Sequence, residues 1–263
     1  MSTFICDLGG LVDHRELLVE WTKRDIRARY KQSVLGIAWA IAQPLSMVLI
    51  FTVVFSYFVR VPTDGLPYPV FAFAALLPWT FFSNAISFAA TSLTNNLNLV
   101  TKIYFPREIL PVSAVIASMI DFSVGAIALL ALFVFYRTPL GPTALWFPIV
   151  LTFQIGLTLG IALIVAAANV FYRDVRFVVP LATMLWMYAT PVIYPVSIVP
   201  EGYRSIYLLN PMAGFVDAYR NVLLKQQWPD LGSLASAAAT SLFILAIGYA
   251  FFKHVELDFA DVI

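Results

Sequence analysis

The sequence predicts an all-α polytopic membrane protein with six transmembrane helices. Two observations predict it. The chain is 61% hydrophobic and only 12% charged, against roughly half and a quarter in a soluble domain. It therefore has too few polar residues to coat a water-facing surface. Its apolar residues also gather into stretches near the roughly 20 residues that a helix needs to cross the hydrocarbon. A net charge of +1 gives no basis for a nucleic-acid partner. One cysteine, Cys6, excludes an intramolecular disulfide and a cysteine-based metal site. The charged first thirty residues have no n-region followed by an apolar core, so no cleavable signal peptide is expected.

Residues 13–31 read as an amphipathic interface helix. At 100° per residue, Glu16, Glu20, Lys23, Arg24, Arg27 and Lys31 share one face. Leu17, Leu18, Trp21 and Ala28 fall on the other, and Glu20 stands four residues before Arg24, a favourable pairing. The basic bias and Trp21 suit a helix lying at the bilayer surface.

Six spans follow, at 34–59, 70–90, 110–136, 145–171, 177–194 and 234–252. Their direction comes from Lys and Arg. With both termini cytoplasmic, the inner segments hold Arg15, Lys23, Arg24, Arg27, Arg29, Lys31, Lys102, Arg107, Arg173, Arg176 and Lys253. The outer segments hold Arg60, Arg137, Arg204, Arg220 and Lys225. Eleven against five obeys the positive-inside rule. The short charged segment Thr101–Pro111, bracketed by prolines, then faces the cytoplasm. Residues 196–229, between spans five and six, are too long for a turn and too apolar for a solvated loop. Pro195, Pro200, Pro211 and Pro229 punctuate the stretch. Two short helices, Ser205–Leu209 and Met212–Lys225, broken at Asn210-Pro211, are expected to dip into the outer leaflet and return. Such re-entrant structure is tolerated where it packs on protein or lines a cavity. This places Tyr207, Asn210, Pro211 and Tyr219 at an outer gate.

A search for chemistry finds little. No G-x-x-x-x-G-K-[ST] run is present, so the chain carries no P-loop, and no G-x-S-x-G elbow appears. His14 and His254 lack metal-ligand spacing. No catalytic residue or metal ligand is expected. Asp121 is the one carboxylate deep within a span. An Asp there costs roughly 2.5–3.5 kcal/mol and should face protein or water. A proton relay would need further intramembrane ionisable groups, which leaves helix contact or pathway lining as its role. Asn169, Arg173 and Asp174 cluster at the inner end of span four, either as headgroup anchors or as a cytoplasmic entrance. Most aromatics belong to interfacial belts. Some suit a conduit, since a ring stacks on the C–H face of a sugar and Tyr or Trp adds a polar edge. Trp39, Gln43, Met47 and Ile50 form one stripe on span one, and Trp186 and Tyr188 stand on span five.

Four segments, in order along nearly the whole chain, resemble one family. They are Leu35-Gly36 with Trp39 and Pro44; Leu99 to Pro111, with Tyr104-Phe105-Pro106-Arg107-Glu108; Asn169-Val170-Phe171-Tyr172-Arg173-Asp174; and Pro191-Val192-Ile193-Tyr194 followed by Asn210-Pro211. The chain resembles the membrane subunit of type-2 ABC exporters of polysaccharide, those of O-antigen, capsule and teichoic acid. Pro78, before Trp79 in span two, departs from that pattern.

The resemblance implies a coupling helix over 98–107 that docks into a separate ABC ATPase. Lys102, Tyr104, Phe105, Pro106, Arg107 and Glu108 would make that contact, assisted by Trp21, Lys23, Arg24 and Arg27 of the interface helix. It implies a homodimer of this chain with two ATPase copies, a conduit from spans one and five, and a lipid-linked polysaccharide as cargo in the bacterial inner membrane. This chain would hold no cofactor; ATP and Mg would belong to the partner. Competing expectations are a drug or small-lipid exporter, a proton-coupled transporter using Asp121, and a membrane enzyme acting on lipid-linked sugar.

Overall fold

A computed structural model of the protein describes residues 14–31, 33–63, 65–97, 105–200, 202–203, 207 and 209–259. Among these residues there are eight α-helices and no strand. They are α1 (Arg15–Tyr30), α2 (Trp39–Thr52), α3 (Tyr68–Ser92), α4 (Ile109–Phe135), α5 (Phe147–Phe171), α6 (Val175–Tyr188), α7 (Pro211–Leu223) and α8 (Leu231–Val255). Five helical stretches are long and apolar enough to cross a membrane: Trp39–Phe58, Tyr68–Ser92, Ile109–Phe135, Pro142–Phe171 and Leu231–Asp258. The chain is membrane-embedded, because only a bilayer accommodates so much exposed apolar helix.

α3 is the central helix. It packs against α2, α4, α5, α6 and α7, and its residues are buried almost all round, as befits a helix apolar on every face. Pro78 sits inside it without ending it. The most extensive helix pair is α5 with α8. Their backbones meet at glycine: a Cβ on Gly248 would lie 2.2 Å from the Gly160 carbonyl oxygen. Small residues permit such approach between helices in lipid.

α4 closes in a Schellman motif, with Thr138 N–H on the Phe133 carbonyl at 2.9 Å and Arg137 N–H on Val134 at 3.2 Å. Arg137 takes the left-handed position, φ +52°, that this motif needs. α2 continues through a π-helical turn, Val53–Phe58. Two expected boundaries change. The span expected over 177–194 is helical only as Val175–Tyr188, and Ala189–Tyr194 form turns. Pro191 lacks an N–H and disfavours helix at the residue before it, which stops α6 early. The expected helix Met212–Lys225 is α7, which runs Pro211–Leu223, beginning one residue earlier and ending two residues earlier. The coupling helix expected over 98–107 lies, up to residue 104, outside the described residues, as does most of Ser205–Leu209.

On α1 the charged face is as expected, with Glu16, Glu20, Lys23, Arg24, Arg27 and Lys31 exposed. Glu20 pairs with Lys23 at 2.8 Å rather than with Arg24. Ala28, expected on the apolar face, is exposed. Asp25, Arg29 and Tyr30 turn inward because α4 offers them polar partners.

Candidate functional site

Polar clusters tie the helices together, and among the described residues α2 and α6 carry exposed apolar faces, as parts of α4 and α8 do. The first cluster lies where α6 ends. Asn210 caps α7: its Oδ1 accepts from Met212 N–H at 3.1 Å, and Pro211 occupies the first turn, where a missing N–H costs nothing. The same Oδ1 accepts from Trp186 Nε1 at 2.9 Å, and Asn210 Nδ2 donates to Thr190 Oγ1 at 2.9 Å and Ala189 O at 3.2 Å.

Ten residues on, Arg220 is 3% exposed. Its guanidinium donates to the carbonyls of Pro191, Val192 and Tyr194 and lies 3.7 Å from the Phe71 ring centroid. Tyr68 OH donates to the remaining carbonyl, Ile193 O, at 3.0 Å. Every carbonyl of the Pro191–Tyr194 turn is thus satisfied by a side chain. A buried turn without ladder partners demands such donors. Tyr207 OH and Tyr194 OH are 2.7 Å apart, and burial followed by this contact raises the Tyr207 phenol well above its ordinary value.

The second cluster runs through the middle of the bundle. Gln154 Nε2 donates to Pro78 O at 2.8 Å, and its Oε1 accepts from Tyr219 OH at 2.7 Å. Gln154 and Tyr219 are both fully buried. Tyr219, expected at an outer gate, is a buried residue joining α7 to α5, because α7 is buried on most of its circumference.

The third cluster joins α1 to α4. Arg29 Nη1 lies 2.8 Å from Asp121 Oδ2, and Tyr30 OH donates to Asp121 Oδ1 at 2.6 Å. Arg29 also donates to Ser118 Oγ and Ala114 O, at 3.3 and 3.2 Å, and stacks 3.8 Å from the Phe88 ring centroid. Ser113 donates to Asp25 at 3.0 Å. Arg24 reaches Asn96 Oδ1 at 2.8 Å, and its guanidinium lies 3.6 Å from the Trp21 ring centroid. Burial, then the Asp121 carboxylate, raises the Tyr30 phenol.

At the end of the bundle near α1, Glu108 is buried and pairs with Lys253 Nζ at 2.9 Å. Lys253 also meets Glu256 at 3.1 Å. Arg107 donates to the Glu256 carbonyl, and Phe105 packs with Phe259 in a small apolar cluster. Glu108, expected to reach a partner protein, faces the end of α8. Lys102 and Tyr104 lie outside the described residues. Pro106 is partly exposed. Asn169 is buried and receives Arg176 N–H at 3.1 Å while donating to Thr94 Oγ1 at 3.1 Å. Arg173 and Asp174 beside it are exposed, with Arg173 lining a cavity of ≈ 280 Å³.

The conduit candidates divide. On α2, Trp39 and Gln43 are exposed and Met47 is half-buried. On α6, Tyr188 is exposed, in a face with Phe177, Leu181, Met184 and Leu185. Trp186 is half-buried: it packs against α3, 5.2 Å from the Phe82 ring and 6.5 Å from Trp79, and borders a cavity of ≈ 490 Å³ with Tyr207 and Asn210. Sequence reasoning did not single out Arg220, Arg29, Tyr30, Tyr68, Lys253 or Gln154 as functional. For Gln154 a signal existed: a lone amide in an apolar run, open to the same desolvation reasoning as Asp121.

The sequence model of the family described as "ABC-2 type transporter" matches residues 16–224. An O-antigen export system permease protein, RfbA, of Myxococcus xanthus is 33% identical over 95% of this chain and 96% of its own length. A Klebsiella pneumoniae protein with the same description is 29% identical over 98% and 97%. The polysialic acid transport protein KpsM of Escherichia coli is 26% identical over 89% of this chain and 91% of its own. The match takes in α1 through α7 and the clusters centred on Asp121, Gln154, Asn210 and Arg220, and on it the chain belongs to the ABC-2 type transporter membrane family.

Proposed function

We propose that this chain is the permease subunit of an ATP-driven exporter that moves a lipid-linked polysaccharide of O-antigen type across the bacterial inner membrane. What carries this reading is end-to-end similarity, 33% identical over 95% of the chain, to a permease described as exporting O-antigen. The exposed apolar faces of α2 and α6 add to it. Two copies of the chain would cover these faces and form the conduit between them, with Trp39, Gln43, Met47 and Tyr188 towards the polymer. Two copies of an ABC ATPase would supply the energy, holding ATP and Mg themselves.

In this reading α6 is a sixth, shortened span, and both termini are cytoplasmic. The Ala189–Asp230 region, with Tyr207, Asn210 and Pro211, is a re-entrant outer lid. Residues 98–107 carry the ATPase contact, with Lys102 and Tyr104 foremost and Arg107 fixing the segment's root to α8. Trp21, Lys23, Arg24 and Arg27 present α1 to the same partner, and Arg173 and Asp174 stand at the inner entrance. Asp121 is held by Arg29 and Tyr30, which favours a structural part over proton transfer.

The test is the Lys102→Glu variant produced with its ATPase. Export is expected to fail while the chain still inserts and the ATPase no longer co-purifies with it. Normal export by this variant would refute the coupling assignment.

A further inference from the structure

We propose that the cavity walled by α1, α2, α3 and α4 is a subsite for one uncharged sugar unit of the exported polymer. This rests on the export reading above. The cavity measures ≈ 310 Å³, the lower end of the roughly 300–1,000 Å³ range of ligand pockets. That is room for a single ring with its hydroxyls, not for a chain segment.

Its lining selects the chemistry. Gln43 and Asn84 both border it, and neither carboxamide is bonded to another group among the described residues. An amide offers two donors and a twofold acceptor, and with Gln43 exposed and Asn84 half-buried both stay open to a ligand. Asp121 adds acceptor capacity, since an ionised carboxylate has about four lone-pair sites and Tyr30 and Arg29 take two of them. Donors and acceptors side by side are what a ring of hydroxyls needs, each being both donor and acceptor.

Charge narrows the class further. Arg29 and Asp121 neutralise each other at 2.8 Å, so a phosphate or an ammonium group would find no free counter-charge. A lipid tail would strand both amides and the carboxylate against hydrocarbon. Trp39 supplies an aromatic plane at the rim for the C–H face of a sugar. Trp39 and Gln43 also stand on the exposed stripe of α2, so the cavity opens onto the face assigned to the conduit. A sugar seated there would hold the polymer in register between strokes of the ATPase.

The experiment places a photoactivatable diazirine side chain at position 84, and separately at position 80 on the same wall. Position 50, on the α2 stripe outside the cavity, receives the same probe. Each variant is made with its ATPase in cells that produce the polymer, and membrane insertion is checked before irradiation. Positions 84 and 80 are expected to give carbohydrate-bearing adducts that vanish in cells lacking the polymer and are lost when Trp39→Ala is added. Adducts at position 50 alone overturn the subsite and leave the export reading standing. Adducts at 84 and 80 that are phospholipid, or protein only, overturn the subsite as well. Absence of carbohydrate at all three positions overturns both.

Discussion

Arg220 shows how one residue can hold a turn that has no secondary structure to hold it. Three carbonyls depend on its guanidinium. Arg220→Met fills the volume but orphans them, at roughly 1–3 kcal/mol for each buried acceptor left unsatisfied. A fall of about 3 kcal/mol or more in unfolding free energy is expected, read as a lowered melting temperature of the detergent-solubilised protein. Arg220→Lys, with one compact charge in place of a planar fork, should recover only part of the loss. Wild-type stability for Arg220→Met would show that the carbonyls find other donors. Asp121 follows the same logic with the sign of charge reversed. Asp121→Asn leaves a mostly buried Arg29 uncompensated, at a cost of about 3 kcal/mol. The double variant Arg29→Gln/Asp121→Asn should be more stable than Asp121→Asn alone. A proton-coupling role would instead make export, not stability, the property lost.

Among the elements, the α5–α8 pair is the most sensitive to volume. Gly248→Ala would drive a methyl into the Gly160 carbonyl, and the helices must part, at about 1–3 kcal/mol for overpacking. A melting temperature unchanged by this substitution would contradict the close approach. At the start of α8, Asp230 Oδ2 accepts from Ser233 N–H at 3.0 Å, and this bond holds its carboxyl below the ordinary carboxylate value. Asp230→Ala should cost about 1 kcal/mol, as for other lost helix caps. With the folded value depressed, the cap contributes fully above the ordinary carboxylate value. Its contribution is lost as pH falls through the lowered value, so wild type and Asp230→Ala should converge in stability under acid.

The helices were legible because a span is a local property: some 20 apolar residues cross a bilayer whatever surrounds them. The end of α6 was less so, since apolar residues continue to Tyr194 while Pro191 breaks the helix. The site was legible in part. Asn210-Pro211 reads as a helix start by itself, whereas Arg220 looks like an outer-loop charge until the fold brings Pro191–Tyr194 to it. The burial of Tyr219 was not legible for the same reason, because burial of α7 comes from neighbours distant in sequence.

At the scale of the whole molecule, the buried clusters join four helices into a core, while α2 is the least buried of the long apolar helices. α3, α5, α7 and α8 form a core joined through Gln154, Tyr219 and the Gly160–Gly248 contact. α2 and α6 lie at its margin with apolar residues exposed. Motion delivered at the α1 end can reach α6 through Asn169, which joins the α3 terminus to the first turn of α6. The turn beyond α6 is held to α7 by Asn210 and Arg220, so α6 and α7 should move together. The central claim, that a partner ATPase drives polymer through a dimer of this chain, is tested most directly in sealed vesicles. The chain and its ATPase are reconstituted with lipid-linked polysaccharide, and polymer reaching the opposite face is measured with and without ATP. The account predicts transport that requires ATP, Mg and the partner. Equal transport by the chain alone under a proton gradient would contradict it.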